Sequence, residues 1–251
     1  MNDPVRASLG SQIGNEPCPV EDTEEIFWLR EADDYRSRFL LGNALAAQYR
    51  FKEAAAAYEK AMRIRQDDWK LHYSLGGAYL TLRRFGEARS AYSQSALHGA
   101  PEKTLAYPLG VACYLQGEYA QAAPHFKNCL PCGDEMAIAV IYWHSLSCYR
   151  AGCSPSLLSA YHKDMEVGHH TAYRLAVSVF CGETPWEEAV SQTIAGTDDL
   201  HDVVALYGLC VYLAHSGNQA AARQCAEAVL HRENVWPCIS YLAAWNDANT
   251  A

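Results

Sequence analysis

The chain has 251 residues and a formal charge of −9, with 50% apolar and 20% charged residues. That length can bury a core without a metal or disulfide staple, and the composition excludes a disordered tail, a collagen and a mucin-like stalk. Only 20 Lys and Arg stand against 29 Asp and Glu, with no local basic stripe, so nucleic acid is not an expected partner.

The negative excess sits at the front, where residues 1–34 hold nine acids and two bases. Residues 1–21 are expected to form an acidic, partly disordered leader. The start, Met1-Asn2-Asp3-Pro4, has no basic n-region, apolar run or lipobox, and no stretch reaches about 18 uninterrupted apolar residues. Neither secretion nor membrane insertion is therefore expected. Ten cysteines then read as reduced thiols, and the expected compartment is the cytoplasm. Asp22-Thr23-Glu24-Glu25 is a helix start with acids at the positive end of the dipole, followed by Ile26, Phe27, Trp28 and Leu29. This helix is expected to cap the first apolar face that follows; the alternative is that it occupies a groove until a partner displaces it.

From about residue 35 the chain repeats with a period of 34. Leu41-Gly42, Leu75-Gly76 and Leu109-Gly110 recur in register with Phe51, Phe85 and Tyr119, with Ala54, Ala88 and Ala122, and with Tyr58, Tyr92 and Phe126. Within each copy apolar and small residues fall three or four apart, and Arg50, Arg84 and Gln116-Gly117 lie near a break, so each copy predicts a helix-turn-helix hairpin. Small residues let two helices approach, and the aromatics fill the adjoining gap.

These residues resemble the tetratricopeptide repeat (TPR), over copies at about 35–68, 69–102 and 103–136. His72 stands where that family often has Trp, and Arg83 replaces a turn Gly. The resemblance implies an all-α fold, a right-handed superhelical TPR solenoid of antiparallel helix hairpins, running over 22–251 as one continuous domain of roughly 12 to 13 helices. Irregular hairpins are expected at 137–196, from Ala137–Arg150, a helix starting at Ser154-Pro155-Ser156, Gly168–Phe180 and Pro185–Thr193. A TPR-like hairpin at 198–231 carries Leu209, Leu213, Gly217-Asn218, Ala222, Ala226 and Val229, and a capping helix is expected at 233–246. The order of Tyr142-Trp143, Phe180-Cys181-Gly182 and the later Tyr-rich hairpin resembles the rear half of NlpI-type bacterial TPR adaptors. Those proteins are lipid-anchored, whereas Cys18 here follows no apolar segment.

In the TPR family, helix-A positions 2, 5, 9 and 12 line a concave groove. Here they are Arg36, Phe39, Asn43 and Ala46, then Lys70, Tyr73, Gly77 and Leu80, then Thr104, Tyr107, Val111 and Tyr114. The row Phe39, Tyr73, Tyr107 offers apolar faces to a peptide, and Arg36, Lys70 and Asn43 offer polar contacts. The plain alternative is that the three rings are ordinary packing. The chaperone-binding carboxylate clamp needs paired Lys and Asn, and only Asn43 fits, so binding of Hsp70 or Hsp90 tails is not expected.

Two clusters suggest chemistry. Cys129-Leu130-Pro131-Cys132 has the spacing of a redox dithiol or half a zinc site, with Cys148 and Cys153 as two further thiolates. Structural thiols are the favoured reading, because small apolar cysteines are common in helices. His169-His170, with His162 and Asp164 before them, point about 100° apart on a helix and suit one ion poorly. No phosphate loop, nucleophile elbow or His-Glu-x-x-His is present. The expected function is a non-catalytic scaffold or adaptor in a bacterial cytoplasm that binds a protein or peptide segment and needs no cofactor. The alternatives are a cytoplasmic chaperone for a secreted apolar segment, using the same groove, and a thiol- or metal-dependent protein using Cys129 and Cys132.

Overall fold

The computed structural model describes residues 21–250; the rest of the acidic leader, with Cys18, lies outside them. The described residues form thirteen α-helices and no strand. None of these helices is long and apolar enough to cross a membrane. The described residues divide into two compact units, 21–112 and 113–250, the division falling inside the helix Glu102–Leu115.

In the first unit α1 (Glu24–Glu31) precedes the hairpins α2/α3 (Tyr35–Ala47, Phe51–Ile64) and α4/α5 (Trp69–Thr81, Phe85–Leu97), and α6 (Glu102–Leu115) begins the next copy. Period-related aspartates start the first helix of each hairpin. Asp34 accepts from the Ser37 amide and Asp68 from the Lys70 amide, each satisfying an otherwise unpaired donor. Each hairpin turns on a left-handed residue followed by paired backbone bonds: Tyr49 (φ 62°) and Arg83 (φ 63°), with Gly117 (φ 78°) at the same register. Left-handed backbone suits Gly, so Tyr and Arg stand there at a cost of about 1 kcal/mol each.

The Gly and Tyr of the repeat meet face to face. A Cβ on Gly76 would fall 2.7 Å from Tyr92 Cε1, and one on Gly42 would press still closer on the Tyr58 ring. Leu41, Leu45, Ala54, Ala55, Tyr58 and Ala61 form the buried seam of the first hairpin together with Ile26 of α1. Thus α1 caps the first repeat. Thr23 caps its first turn, and a four-membered charged network clamps it: Arg30 and Arg50 each bond both Asp22 and Glu53 at 2.6–2.9 Å.

In the second unit α7 (Tyr119–Lys127), α8 (Asp134–Ala151), α9 (Thr171–Phe180), α10 (Trp186–Ile194), α11 (Asp199–His215), α12 (Gln219–Leu230) and α13 (Ile239–Thr250) follow the end of α6. The helix expected from Ser154 is instead a five-residue 3-10 turn, Ser156–Ala160, and the chain to His170 is irregular. Here α11 is the central element, packed by α8, α9, α10, α12 and α13 and buried from Asp202 to Leu209. Gly208 again admits a ring: a Cβ there would collide with Tyr142, whose hydroxyl donates to the Val204 carbonyl at 2.7 Å.

Two predictions follow from these contacts. Gly76→Ala drives a methyl into Tyr92 and should destabilise by about 1–3 kcal/mol, whereas Gly77→Ala meets only Tyr92 Oη at 3.8 Å. The second change should stabilise by about 0.5–1 kcal/mol through helix propensity, so thermal melts of the two neighbours should shift in opposite directions. The charged clamp gives α1 a pH dependence. Hydrogen bonds from Arg30, then Arg50, hold the Asp22 carboxyl below its ordinary value; burial raises Glu53, but bonds from Arg50 and Arg30 outweigh it and lower that carboxyl too. A depressed folded pKa stabilises above the unfolded value, about 4, and that stability disappears as pH falls through the folded one. Amide exchange in Ile26–Arg30 should therefore accelerate below about pH 4 relative to the α2–α3 seam, and this extra acceleration should shrink in Arg50→Gln.

Candidate functional site

Beside the Gly–Tyr seam of the first unit, α2, α4 and the start of α6 carry exposed residues. On α2 the exposed stripe runs Arg36, Leu40, Asn43 and Ala47, with Phe39 and Ala46 half-buried beside it. On α4 it runs Lys70, Tyr73 and the half-buried Ser74 and Gly77; on α6 Thr104 is exposed and Tyr107 half-buried. The structure therefore places Arg36, Phe39, Asn43, Lys70, Tyr73 and Tyr107 on the accessible side of their helices.

These aromatics do not replace the seam; they stand on it. Phe39 lies 5.9 Å from the Tyr58 ring and Tyr73 5.8 Å from the Tyr92 ring, and each has a further aromatic neighbour, Tyr35 at 6.3 Å and Trp69 at 6.4 Å. Tyr58 Oη donates to Asn43 Oδ1 at 2.8 Å, which fixes the carboxamide at the rim. Burial pushes the Tyr58 phenol up to about 12, so its donor stays protonated. Tyr73 keeps 36% of its surface exposed, and Lys70 Nζ sits 5.8 Å from the Trp69 ring centroid. Arg36 and Lys70 thus present two cations one repeat apart beside a row of backed rings.

Three expected groove residues are interior. Leu80, Val111 and Tyr114 are buried, because the C-terminal ends of α4 and α6 are covered while their N-terminal turns are open. Tyr114 belongs to the second unit, where its face is filled by the same chain: its Oη bonds Tyr207 Oη at 2.9 Å, which donates to Asp247 at 3.2 Å. Asp247 also pairs with Arg150, and Asn246 Nδ2 donates to the Leu115 carbonyl at 2.9 Å. Leu40 was missed. Its place one residue after Phe39 extends the exposed Arg36–Asn43–Ala47 stripe, a helical-period signal present in the sequence.

The cysteines do not assemble a four-thiolate site. Cys129 and Cys132 precede α8 whereas Cys148 lies in its last turn, about 20 Å further along the helix at 1.5 Å per residue. Burial, then Cys132, pushes the Cys129 thiol up to about 11, opposite to the activation a redox nucleophile needs. Among the described residues no three His, Cys, Asp or Glu groups are placed to hold a metal ion. His170 pairs with Glu135 at 3.3 Å at a cleft of about 510 Å³ lined by Asp134, Met136 and Glu166, while His162, Asp164 and His169 are exposed.

A tetratricopeptide repeat family model matches residues 39–104 and 73–133, and a second one matches 203–228. This chain carries tetratricopeptide repeats. No curated protein matches the sequence. Among solved structures, the TPR protein YrrB, described as having an unusual peptide-binding site, aligns at 14% identity and TM-score 0.49, covering 91% of this chain and 99% of that one. A chain of the Naa15/Naa10 complex bound to HypK-THB aligns at 17% identity and TM-score 0.43, covering 90% of this chain and 37% of that one. The family matches cover the α2–α7 hairpins and the α11/α12 hairpin, the parts in which the Gly, Ala and aromatic register is clearest.

The interior position of Tyr114 has a measurable consequence. Tyr207→Phe leaves the Tyr114 hydroxyl and Asp247 short of a buried partner and should cost about 1–3 kcal/mol in urea unfolding. The double change Tyr114→Phe with Tyr207→Phe should cost less than the sum of the two single changes, because the paired hydroxyls leave together.

Proposed function

We propose that the chain is a non-catalytic scaffold that binds a peptide segment along α2 and α4, over Arg36, Phe39, Leu40, Asn43, Lys70 and Tyr73, with Tyr107 continuing the row. The observation that carries this reading is the second layer of aromatics: Phe39 and Tyr73 lean on Tyr58 and Tyr92, yet keep a face to solvent that the Gly–Tyr seam does not use. Rigid, backed rings make good anchors, since little conformational entropy is lost when a ligand covers them. Arg36 and Lys70 favour a ligand with acidic residues beside its apolar side chains, and their shared register sets a spacing of one repeat between the two charges.

The test uses the full chain to select binders from a displayed library of random peptides. Selected peptides should carry acidic residues flanking aromatic or aliphatic ones. Tyr73→Ala should weaken them about 30-fold, the equivalent of about 2 kcal/mol for an interface hot spot, at a modest cost in stability. Tyr92→Ala should instead cost about 3–5 kcal/mol of stability. The reverse ranking, with Tyr73→Ala unfolding the protein and affinity per folded molecule unchanged, would show that the row is core and the groove lies elsewhere.

A further inference from the structure

The last turn of α8 ends in a motif that brings two of the singled-out cysteines together. Gly152 adopts φ 70°, its amide bonds the Tyr149 carbonyl at 3.3 Å, and the Cys153 amide bonds the Cys148 carbonyl at 2.9 Å. This is the paired-bond Schellman ending, in which the side chains of the two outer residues come into contact across the turn. Cys148 and Cys153 hold those two positions. The same motif in this chain shows the contact directly: Arg84 bonds the Tyr79 carbonyl at 2.9 Å, and its guanidinium lies 4.2 Å from the Tyr79 ring centroid.

The Cα spacing across this turn lies within the range that disulfides span. The 2.9 Å amide-to-carbonyl bond limits the two Cα atoms to about 6.8 Å apart by standard bond lengths, and disulfides span about 4.4–6.8 Å. The thiols differ in access, Cys153 being exposed and Cys148 buried beside His144, whose two ring nitrogens lie 3.8 and 3.9 Å from its sulfur. Burial, then Cys153, raises the Cys148 thiol, so the exposed Cys153 and not Cys148 is the sulfur that meets an oxidant first. An exposed thiol with a buried thiol across one turn is the arrangement in which an oxidised outer sulfur is captured before it over-oxidises.

We propose that Cys148 and Cys153 form a reversible oxidation site, closed to a disulfide by a hydroperoxide at the end of α8. The Cys153 thiol is oxidised first, giving a sulfenic acid while the peroxide O–O bond breaks and one water leaves. The Cys148 sulfur then displaces the sulfenic oxygen, which departs with the Cys148 proton as a second water. Two electrons pass from the thiols to the peroxide, and a dithiol reductant reverses the change. The site is distinct from Cys129 and Cys132, which precede α8, and needs nothing from the aromatic row on α2 and α4.

The test exposes the full chain to hydrogen peroxide, quenches with acid, blocks free thiols with N-ethylmaleimide and maps tryptic peptides without reduction. Trypsin cuts after Arg150, between the two cysteines, so closure joins two otherwise separate peptides, and fragmentation of the pair assigns the bond to Cys148 rather than to Cys129 or Cys132 of the same peptide. The expected result is that joined pair, with loss of the maleimide label at both cysteines and its return after dithiothreitol. In Cys153→Ser the Cys148 label persists; in Cys148→Ser a sulfenic acid accumulates at Cys153 and is trapped by dimedone. The proposal is overturned if Cys153 passes to sulfinic acid while Cys148 stays labelled, or if Cys129 and Cys132 join before this pair does.

Discussion

The repeats depend on a helix surface that carries no side chain where a ring must lie. Gly42 and Gly76 leave room for Tyr58 and Tyr92 of the returning helix, and a single methyl at either glycine overlaps the ring. A Gly in a helix interior costs about 1 kcal/mol against Ala, so its recurrence needs a compensating gain. The gain is the burial of a whole Tyr ring between two close backbones, on the scale of several kcal/mol. Gly208 and Tyr142 make the same contact with the order reversed, the Tyr preceding the Gly by 66 residues, so the device serves hairpin and non-hairpin packing alike.

That device is why so much was legible in the sequence. Collision with a ring fixes Gly, Ala and aromatic positions at once, and the 34-residue register of Leu-Gly, Phe, Ala and Tyr exposes hairpins α2/α3 and α4/α5 directly. The turn positions were less readable, because Tyr49 and Arg83 have the left-handed backbone that residue type argues against, and only their register with Gly117 reveals it. The stretch from Cys153 to His170 gave no period to read, and a Pro-led start there became a 3-10 turn that does not propagate. Groove residues were legible as positions on a helix, but not as exposed or covered. Leu80 and Val111 share a helix face with open residues, and their burial depends on what lies over the C-terminal turns.

The second unit shows how a TPR-like face can be closed by its own chain. Trp143 is fully buried among Tyr114, Phe126, Tyr142 and Tyr207, with ring centroids at 5.2–6.3 Å. Three hydroxyl or carboxylate groups then complete one another: Tyr114 with Tyr207, Tyr207 with Asp247, and Asp247 with Arg150. Burial raises the Asp247 carboxyl despite the adjacent Arg150, as expected where desolvation outweighs one neighbouring cation. Such a network specifies one docking of α13, since a shift of that helix strands buried polar atoms. The ring cluster leaves no open face at Tyr114, although the buried Trp143 indole N–H within it has no hydrogen-bond partner, whereas the α2–α4 face retains cations and rings with exposed surface.

On that open face, the proposed peptide recognition and folding would share a support. Phe39 and Tyr73 contact the rings that the glycines admit, so a peptide bound as proposed would also load the Tyr58 and Tyr92 seam. A ligand that binds only the folded hairpins stabilises them by mass action. The converse follows from the same geometry. Loosening the seam tilts the outer rings and weakens binding even where every ligand-contacting side chain is intact, so affinity and stability become partly coupled through Tyr58 and Tyr92. The single anchor is less costly to lose than the seam: removing Tyr73 forfeits its ring contact with Tyr92 but leaves Gly76 against Tyr92 in place, because that contact lies between helix backbone and ring. A repeat built in these two layers can vary its outer aromatics and charges for a new partner without rebuilding its interior.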